Sequence, residues 1–489
     1  MLFNSHIFML LFLPLLLAGW YFLNWKKKFQ LAQGYLIGMS LWFYAYANLQ
    51  YLWLLLFSCL IGWLLSCLPE KIFSEKGKKV LTGVGCVFHL GLLGYFKYSN
   101  FFLENLNTVF HTDFPMLQIL LPVGISFYTF QQLAYLIDRC RGDAPRDSFF
   151  DYLTFMVYFP QLLQGPILLR SEFMGQLKEP ERRRFHAERF SEGIQFFVFG
   201  LAKKVLLADT LAKAVNYGYS NVSMLDSISA LLLAVGYLTE LYFDFSGYCD
   251  MAVGLGKMIG LEVAENFDAP FHSASVKEFW RRWHMTLGRF FTRYVYIPLG
   301  GNRRGKMRTL CNVMIVMLLS GLWHGAAWTF VLWGFLHGVG MIWDNLEHPH
   351  LPKKWMRQAA TFAYVCMTFV FFRAESIAQG IDVLKSIVSL KWNGFVFQMA
   401  SALDMTECYM ITKALSMKLP GLLSWFWLGI FVVLIAICVR VLFGEKVSGV
   451  VALKRQKGYG RLYPVLLAVL FTWSMISMTG VSEYLYFSF

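Results

Sequence analysis

The chain has 489 residues, of which 57% are hydrophobic, 18% aromatic and only 15% charged. Soluble domains carry about 25% charged residues. Apolar runs of roughly 18 or more residues recur here from end to end, which excludes a soluble globular protein and predicts a polytopic membrane protein. The runs are continuous rather than alternating at period two, which excludes a transmembrane β-barrel and predicts an all-α bundle. The net charge of +14 falls in short blocks between apolar runs. That is the positive-inside pattern, and it points to anionic lipid headgroups and a phosphate-bearing cytosolic ligand rather than to nucleic acid. The nine cysteines are scattered without CxxC spacing, so neither a disulfide framework nor a zinc site is expected, and no metal ligand set is assigned.

In chain order, the first span covers about Ile7–Leu23 and ends at Lys26, Lys27 and Lys28, which place that end in the cytoplasm. The start lacks a basic n-region and a small-residue cleavage site, so it reads as a retained span rather than a signal peptide. Leu31–Leu68 divides into two spans, Val80–Tyr98 leads outward, and Leu117–Ile137 returns to Arg139, Arg141 and Arg146. Tyr152–Leu169 carries Pro160, Gly165 and Pro166 between two basic flanks. A re-entrant segment that enters and leaves on one side satisfies the charge rule better than a full span, so FPQLLQGP (159–166) is expected to line a cavity.

Ile194–Ala208 contains Lys203 and Lys204, which must snorkel or face a polar interior. Ser227–Phe245 is a span with Glu240 and Asp244 on one face; Asp244 and Asp250 are candidate charge partners within the bundle. Lys277–Arg308 is too charged to cross a bilayer and reads as an interfacial helix followed by a turn. Thr309–Trp343 is one long helix or two, and Ile377–Met417 is loop with short helices. The last spans are about Leu422–Leu442 and Tyr463–Gly480, with the basic loop Lys446–Arg461 between them. In all, roughly ten to thirteen membrane segments are expected, including re-entrant pieces, in a single integral-membrane domain over 1–489.

The candidate chemistry lies in 279–338. His324 sits mid-membrane in GLWHGAAW, where a histidine is a functional hypothesis by default. Gly321, Gly325, Ala326 and Ala327 remove bulk around the imidazole, and Trp328 at i+4 would share its face on a continuous helix. An imidazole can take a proton from a hydroxyl nucleophile at neutral pH. A histidine satisfied by helix–helix hydrogen bonding fits the same pattern. His284 lies in FWRRWH beside Arg281, Arg282, Arg289 and Arg293, whose charges would oppose a charged imidazole and suit an anionic ligand. His337 and Trp333 repeat the small-residue pattern and could simply pack.

Five segments, FPQLLQGPILLRSEF (159–173), YFDFSGYCDMAVGLGKMIG (242–260), ENFDAPF (265–271), FWRRWHMTLGRFFTRYVYIPLGGNRRG (279–305) and GLWHGAAWTFVLWGFLHG (321–338), run in one order along the chain. Together they resemble the membrane-bound O-acyltransferase superfamily. The likeness is greatest to its bacterial branch of alginate O-acetyltransferases and teichoic-acid D-alanyl-transfer proteins. The resemblance implies a helical bundle enclosing a tunnel. His324 matches the family's catalytic histidine, as a base or transient acyl carrier, and His284 the second histidine of its interfacial motif. Arg281, Arg282, Trp283, Arg289, Asn302, Trp323, Trp328 and Gln164 would bind the donor or line the tunnel. No tightly bound cofactor is implied. The donor would be acetyl-coenzyme A, or a carrier-protein thioester for D-alanyl transfer. The acceptor would be an exported polysaccharide such as alginate, reached through an extracytoplasmic acetyltransferase partner at the bacterial cytoplasmic membrane. A transporter or a non-catalytic scaffold is the competing class, and it predicts that His324 is dispensable.

Overall fold

The computed structural model describes residues 1–46, 49–67, 75–346, 353–457, 460–478 and 484–485; among them there are helices and loops and no strand. A π-helical turn, Phe8–Phe12, runs into α1 (Leu13–Trp25). The apolar stretch Leu31–Leu68 divides into α2 (Phe29–Ala45) and α3 (Leu49–Cys67), as its length requires. α4 (Glu75–Leu93), a π-helical turn and α5 (Ser99–Phe110) follow as one apolar run. The span expected from Leu117 starts later: α6 covers Ile125–Arg141, and residues 114–120 are non-helical and, apart from the half-buried Ile119, exposed. Pro122 and the left-handed Gly124 (φ 78°) set that boundary, since neither continues a helix from the N-terminal side.

α7 (Phe149–Val157) and the single turn α8 (Phe159–Leu162) precede α9 (Arg170–Lys178), α10 (Ala187–Ala202) and α11 (Asp209–Ser220), the last two joined by a π-helical turn over Lys203–Ala208. α12 (Ser227–Ile259) is one helix of 33 residues, longer than the span expected to end at Phe245. The interfacial stretch breaks into α13 (Val276–Arg282) and α14 (Met285–Phe291), and Thr309–Trp343 is two helices, α15 (Lys306–His324) and α16 (Trp328–Trp343). α17 (Lys354–Arg373), α18 (Ile377–Val388), α19 (Phe395–Ser401), α20 (Tyr409–Lys418), α21 (Pro420–Leu442), α22 (Val447–Lys457) and α23 (Leu462–Ser477) complete the order. Six helical stretches among the described residues are long and apolar enough to cross a membrane, and α16 and α23 are shorter apolar helices.

Two compact units emerge from the packing. The first comprises Met1–Phe197, Met251–Glu265 and Thr286–Pro298. Its centre is the interrupted segment between α7 and α9, buried along its length. Non-helical backbone in an apolar interior needs partners. Here Gly165 N–H donates to Gln161 O (3.2 Å) and Ile167 N–H to Thr286 Oγ1 (3.0 Å). Arg170 pairs with Asp147 at 2.5 Å just beyond. Gly124 packs against this segment: a Cβ there would lie 2.5 Å from Leu162 O, on a backbone that L side chains rarely adopt. Gly124→Ala therefore combines a left-handed penalty with a backbone clash, and is expected to destabilise by about 2 kcal/mol or more. Thermal unfolding in detergent would register it.

The second unit comprises Val198–Asp250, Asn266–Met285 and Leu299–Phe489. Gly247 of α12 abuts Gly200 O closely enough that a Cβ would sit 2.7 Å from it, the close helix approach that small residues allow. The two lysines expected to face a polar interior do so. Lys203 pairs with Asp250 (2.7 Å), and Lys204 bridges Asp244 (2.6 Å) and Asp209 (2.8 Å). Asp244 also accepts from Leu485 N–H, and Lys204 lies over the buried Tyr484 ring, so residues 484–485 are tied to the same cluster. Around it runs an aromatic core that includes Phe243, Phe245, Trp283, Trp333, Phe369 and Phe372.

Candidate active site

His324 is the last residue of α15, and the helix stops there for a local reason. Gly325 is extended (φ −159°, ψ 149°), Ala327 caps α16, and the chain turns back on itself. A Cβ on Gly325 would sit 2.0 Å from the Phe330 ring; one on Gly321 would meet Phe330 O at 2.3 Å, and one on Gly334 Met317 O at 2.5 Å. The small residues thus close the α15–α16 hairpin tightly; the room they release is filled by Phe330 and by helix backbone. The break also undoes helical spacing between residues 324 and 328. Trp328 is 57% exposed at the start of α16, whereas His324 is 3% exposed, so the two do not share a face. Trp333 takes that place, with its ring centroid 5.2 Å from the imidazole.

Trp323 (4.9 Å) and Phe372 (5.2 Å) complete the enclosure on the described side chains, and the His284 ring lies 6.4 Å away. An imidazolium formed here would stand within cation–π range of three aromatic rings. Aromatic rings of Trp323, Trp333 and Phe372 surround the imidazole on the described side chains.

His284 occupies the break between α13 and α14 with φ 47°, a left-handed conformation that costs a non-glycine residue about 1–2 kcal/mol. Asn266 holds it there twice. Its backbone carbonyl accepts from Met285 N–H at 3.0 Å, and its side-chain oxygen lies 3.2 Å from His284 Nδ1. That oxygen fixes the tautomer with the proton on Nδ1, leaving the lone pair on Nε2. The Phe245 ring packs edge-on against the imidazole at 4.8 Å. Burial, rather than the neighbouring guanidinium groups, lowers the His284 pKa to about 3, so the ring is neutral at pH 7.

The arginines expected around it are mostly committed. In the second unit, Arg282 pairs with Glu278 (3.0 Å) and Asp268 (3.7 Å), while Arg281 is exposed. In the first unit, Arg289 is bidentate to Glu172 and donates to Ile167 O (3.1 Å), and Arg293 bridges Asp138 and Asp143 at 3.0 Å. Trp283 is buried in the aromatic core against Phe267 (5.1 Å) and Phe279 (5.4 Å). Asn302 is exposed in the turn before α15. Gln164, in the interrupted segment of the first unit, is fully buried, and among the described residues neither of its side-chain polar atoms has a hydrogen-bond partner. His337 is a packing residue: Trp280 Nε1–H donates to its Nδ1 (3.2 Å), and its Nε2–H meets Thr368 Oγ1 (2.9 Å). The site brought together is thus His324, His284, Trp323 and Trp333, with Asn266, Phe245 and Phe372 added. Sequence chemistry does not single out those last three; the run ENFDAPF is the only trace of the first.

Comparison with known proteins bears on this pair of histidines. The model of the MBOAT, membrane-bound O-acyltransferase family, matches residues 141–380, which include both. A peptidoglycan O-acetyltransferase of Helicobacter pylori is 35% identical, with 80% of each chain aligned. The chain belongs to the membrane-bound O-acyltransferase family. It is therefore an O-acyltransferase and a multi-pass membrane protein, as the motifs lead one to expect. A "probable alginate O-acetylase AlgI" of Azotobacter vinelandii is 39% identical over 77% of this chain and 76% of that one. A teichoic acid D-alanyltransferase of Streptococcus thermophilus is 28% identical over 49% of this chain and 58% of its own.

Proposed function

We propose that this O-acyltransferase moves acetyl groups from a cytosolic thioester, acetyl-coenzyme A, to the outer side of the bacterial cytoplasmic membrane for O-acetylation of an exported polysaccharide. One contrast supports acetyl over D-alanyl transfer: the O-acetylating relatives align over about four fifths of the chain at 35–39% identity, and the D-alanylating one over half at 28%.

A thioester is already activated, so the protein's tasks are to position it and to move one proton. His324 accepts the proton of the attacking hydroxyl, the new C–O bond forms, the C–S bond breaks, and the proton passes to the departing thiolate. His284, neutral and fixed by Asn266, orients the second polar group of the site. Arg281 and the exposed turn around Asn302 are the remaining basic-segment candidates for the donor's phosphates, and Gln164 for a polar lining position. An extracytoplasmic acetyltransferase completes delivery to the polymer.

The test is acetyl transfer from radiolabelled acetyl-coenzyme A into a base-labile product, using the purified chain in proteoliposomes. Label transferred from D-alanyl carrier protein and not from acetyl-coenzyme A would move the protein to the other branch. In the same assay Asn266→Ala should lower turnover about tenfold to a hundredfold, since losing a buried hydrogen bond costs about 1–3 kcal/mol and frees the His284 tautomer. A turnover equal to wild type would remove His284 from the reaction.

A further inference from the structure

The first unit carries a pocket to which neither histidine of the candidate site contributes. It has a volume of about 400 Å³ and lies where the end of α3, the start of α4 and the end of α6 meet. Three cations line it, Lys78, Arg139 and Arg141, together with Ser66 and Thr82; among the described residues the lining contains no carboxylate. The apolar part of the lining, Leu65 and Leu136, closes over Gly85 of α4, where a Cβ would lie 3.3 Å from the first side chain and 2.9 Å from the second.

The acids that lie nearest in sequence are committed to other cations. Asp138 and Asp143 pair with Arg293, Asp138 also accepts from Tyr294 O–H (2.9 Å), and Asp147 pairs with Arg170. Neutral groups orient the two arginines of the pocket. Gly142, left-handed (φ 82°), ends α6 and turns the chain so that Ala144 O accepts from Arg139 Nη1–H at 2.8 Å. Arg141 lies over the Tyr294 ring at 5.7 Å. A carbonyl or a ring face orients a guanidinium and leaves its charge in place. The dipole of α6 accounts for arginines at its C-terminal end. It does not account for Lys78, in the opening turn of α4, where a helix dipole favours acids. Like charges gathered around one concavity repel one another unless an anion enters it.

The place of the pocket along the helices narrows the kind of anion. α3 and the run that begins with α4 are each long and apolar enough to cross a membrane, and the pocket lies at the end of one and the beginning of the other. Because the two follow one another in the chain, both ends reach the same bilayer surface, and the pocket falls at headgroup level whichever leaflet that is. Beside it the helices stay apolar outward: Leu60 and Leu64 of α3 and Val80 and Val84 of α4 are all exposed. A small soluble anion gains nothing from such a flank, whereas acyl chains bury against it.

We infer that this pocket binds the phosphodiester headgroup of an anionic phospholipid, whose acyl chains run along the apolar flank of α3 and α4. The phosphate oxygens accept from the two guanidinium groups and from Lys78, the arrangement by which basic pockets between membrane helices hold anionic headgroups. Ser66 Oγ–H is taken by Trp63 O (2.7 Å), which leaves Thr82 to bond a hydroxyl of a glycerol headgroup. A lipid seated there joins α3, α4 and α6, and by binding the folded chain alone it stabilises that chain. Acetyl transfer is not needed to test it.

The full chain, purified and delipidated in detergent, is given phosphatidylglycerol or phosphatidylcholine with the same acyl chains, and bound lipid is counted by native mass spectrometry. Wild type should retain phosphatidylglycerol at least tenfold better than phosphatidylcholine, and its thermal transition should rise with the first lipid alone. Lys78→Gln combined with Arg141→Gln should lose that preference. Lys353→Gln combined with Lys354→Gln, which removes the same charge from exposed positions of the second unit, should keep it. Lys78 is half-buried and Arg141 exposed, so folding should be intact, which the lipid-free transition checks; Arg141→Gln alone serves if the pair alters that transition. Equal retention of the two lipids by wild type overturns the inference. So does an equal loss of preference in the Lys353, Lys354 variant, which would make the effect one of diffuse charge. Inorganic phosphate or coenzyme A that displaces the lipid from wild type, and no longer binds the Lys78, Arg141 variant, would give the pocket to a soluble phosphate ligand and overturn the lipid.

Discussion

Replacing His324 with alanine should remove base-labile acetate from the cell envelope and exopolysaccharide while the protein stays at its normal level. A general base contributes about 10²- to 10⁴-fold, so residual transfer should fall to a hundredth or less of wild type. The imidazole also fills space among Trp323, Trp333 and Phe372. Alanine would leave a cavity there, so His324→Gln is the necessary companion: it keeps most of the volume and removes the base. Loss of acetate in both variants, with unchanged thermal unfolding, assigns the proton transfer to the ring. Loss of D-alanine instead would reassign the donor. Unchanged ester of both kinds would make His324 a packing residue like His337.

The second large effect is on stability. Lys204 is 2% exposed and bridges two carboxylates, one of which, Asp244, is equally buried. Lys204→Met should destabilise the protein by about 3–5 kcal/mol, because it leaves Asp244 as an uncompensated buried charge. The double variant Lys204→Met, Asp244→Leu should recover most of that loss, since a well-packed apolar pair can replace a buried ion pair at little net cost. Thermal unfolding in detergent reads both. A single variant as stable as wild type would mean that water reaches the cluster.

Helices were legible wherever an apolar run of bilayer length stood between basic blocks, as in α2, α3 and α21. Charge placement was partly legible: Lys203 and Lys204 had either to snorkel or to face a polar interior, and the structure has them paired with Asp250, Asp244 and Asp209. What could not be read was any feature made by a break in periodicity. Trp328 looks adjacent to His324 if α15 continues, and only the extended Gly325 moves it away and brings Trp333 in. The same holds for His284: its left-handed backbone and its bond to Asn266 join positions 18 residues apart, with no spacing that local pattern could reveal. The arginine run likewise looked like free positive charge, because the carboxylates that neutralise Arg289 and Arg293 lie more than a hundred residues upstream.

The lysine–aspartate cluster has a further consequence for how the chain enters the bilayer. Asp244 and Asp250 both lie within α12, a helix otherwise apolar enough to span. Each carboxylate at mid-membrane raises the free energy of translocon-mediated insertion by about 2.5–3.5 kcal/mol. Their partners, Lys203 and Lys204, are synthesised some 40 residues earlier and are already waiting when α12 emerges from the ribosome. Insertion of α12 is then expected to depend on the π-helical turn that carries Lys203 and Lys204, whose charges offset those of Asp244 and Asp250.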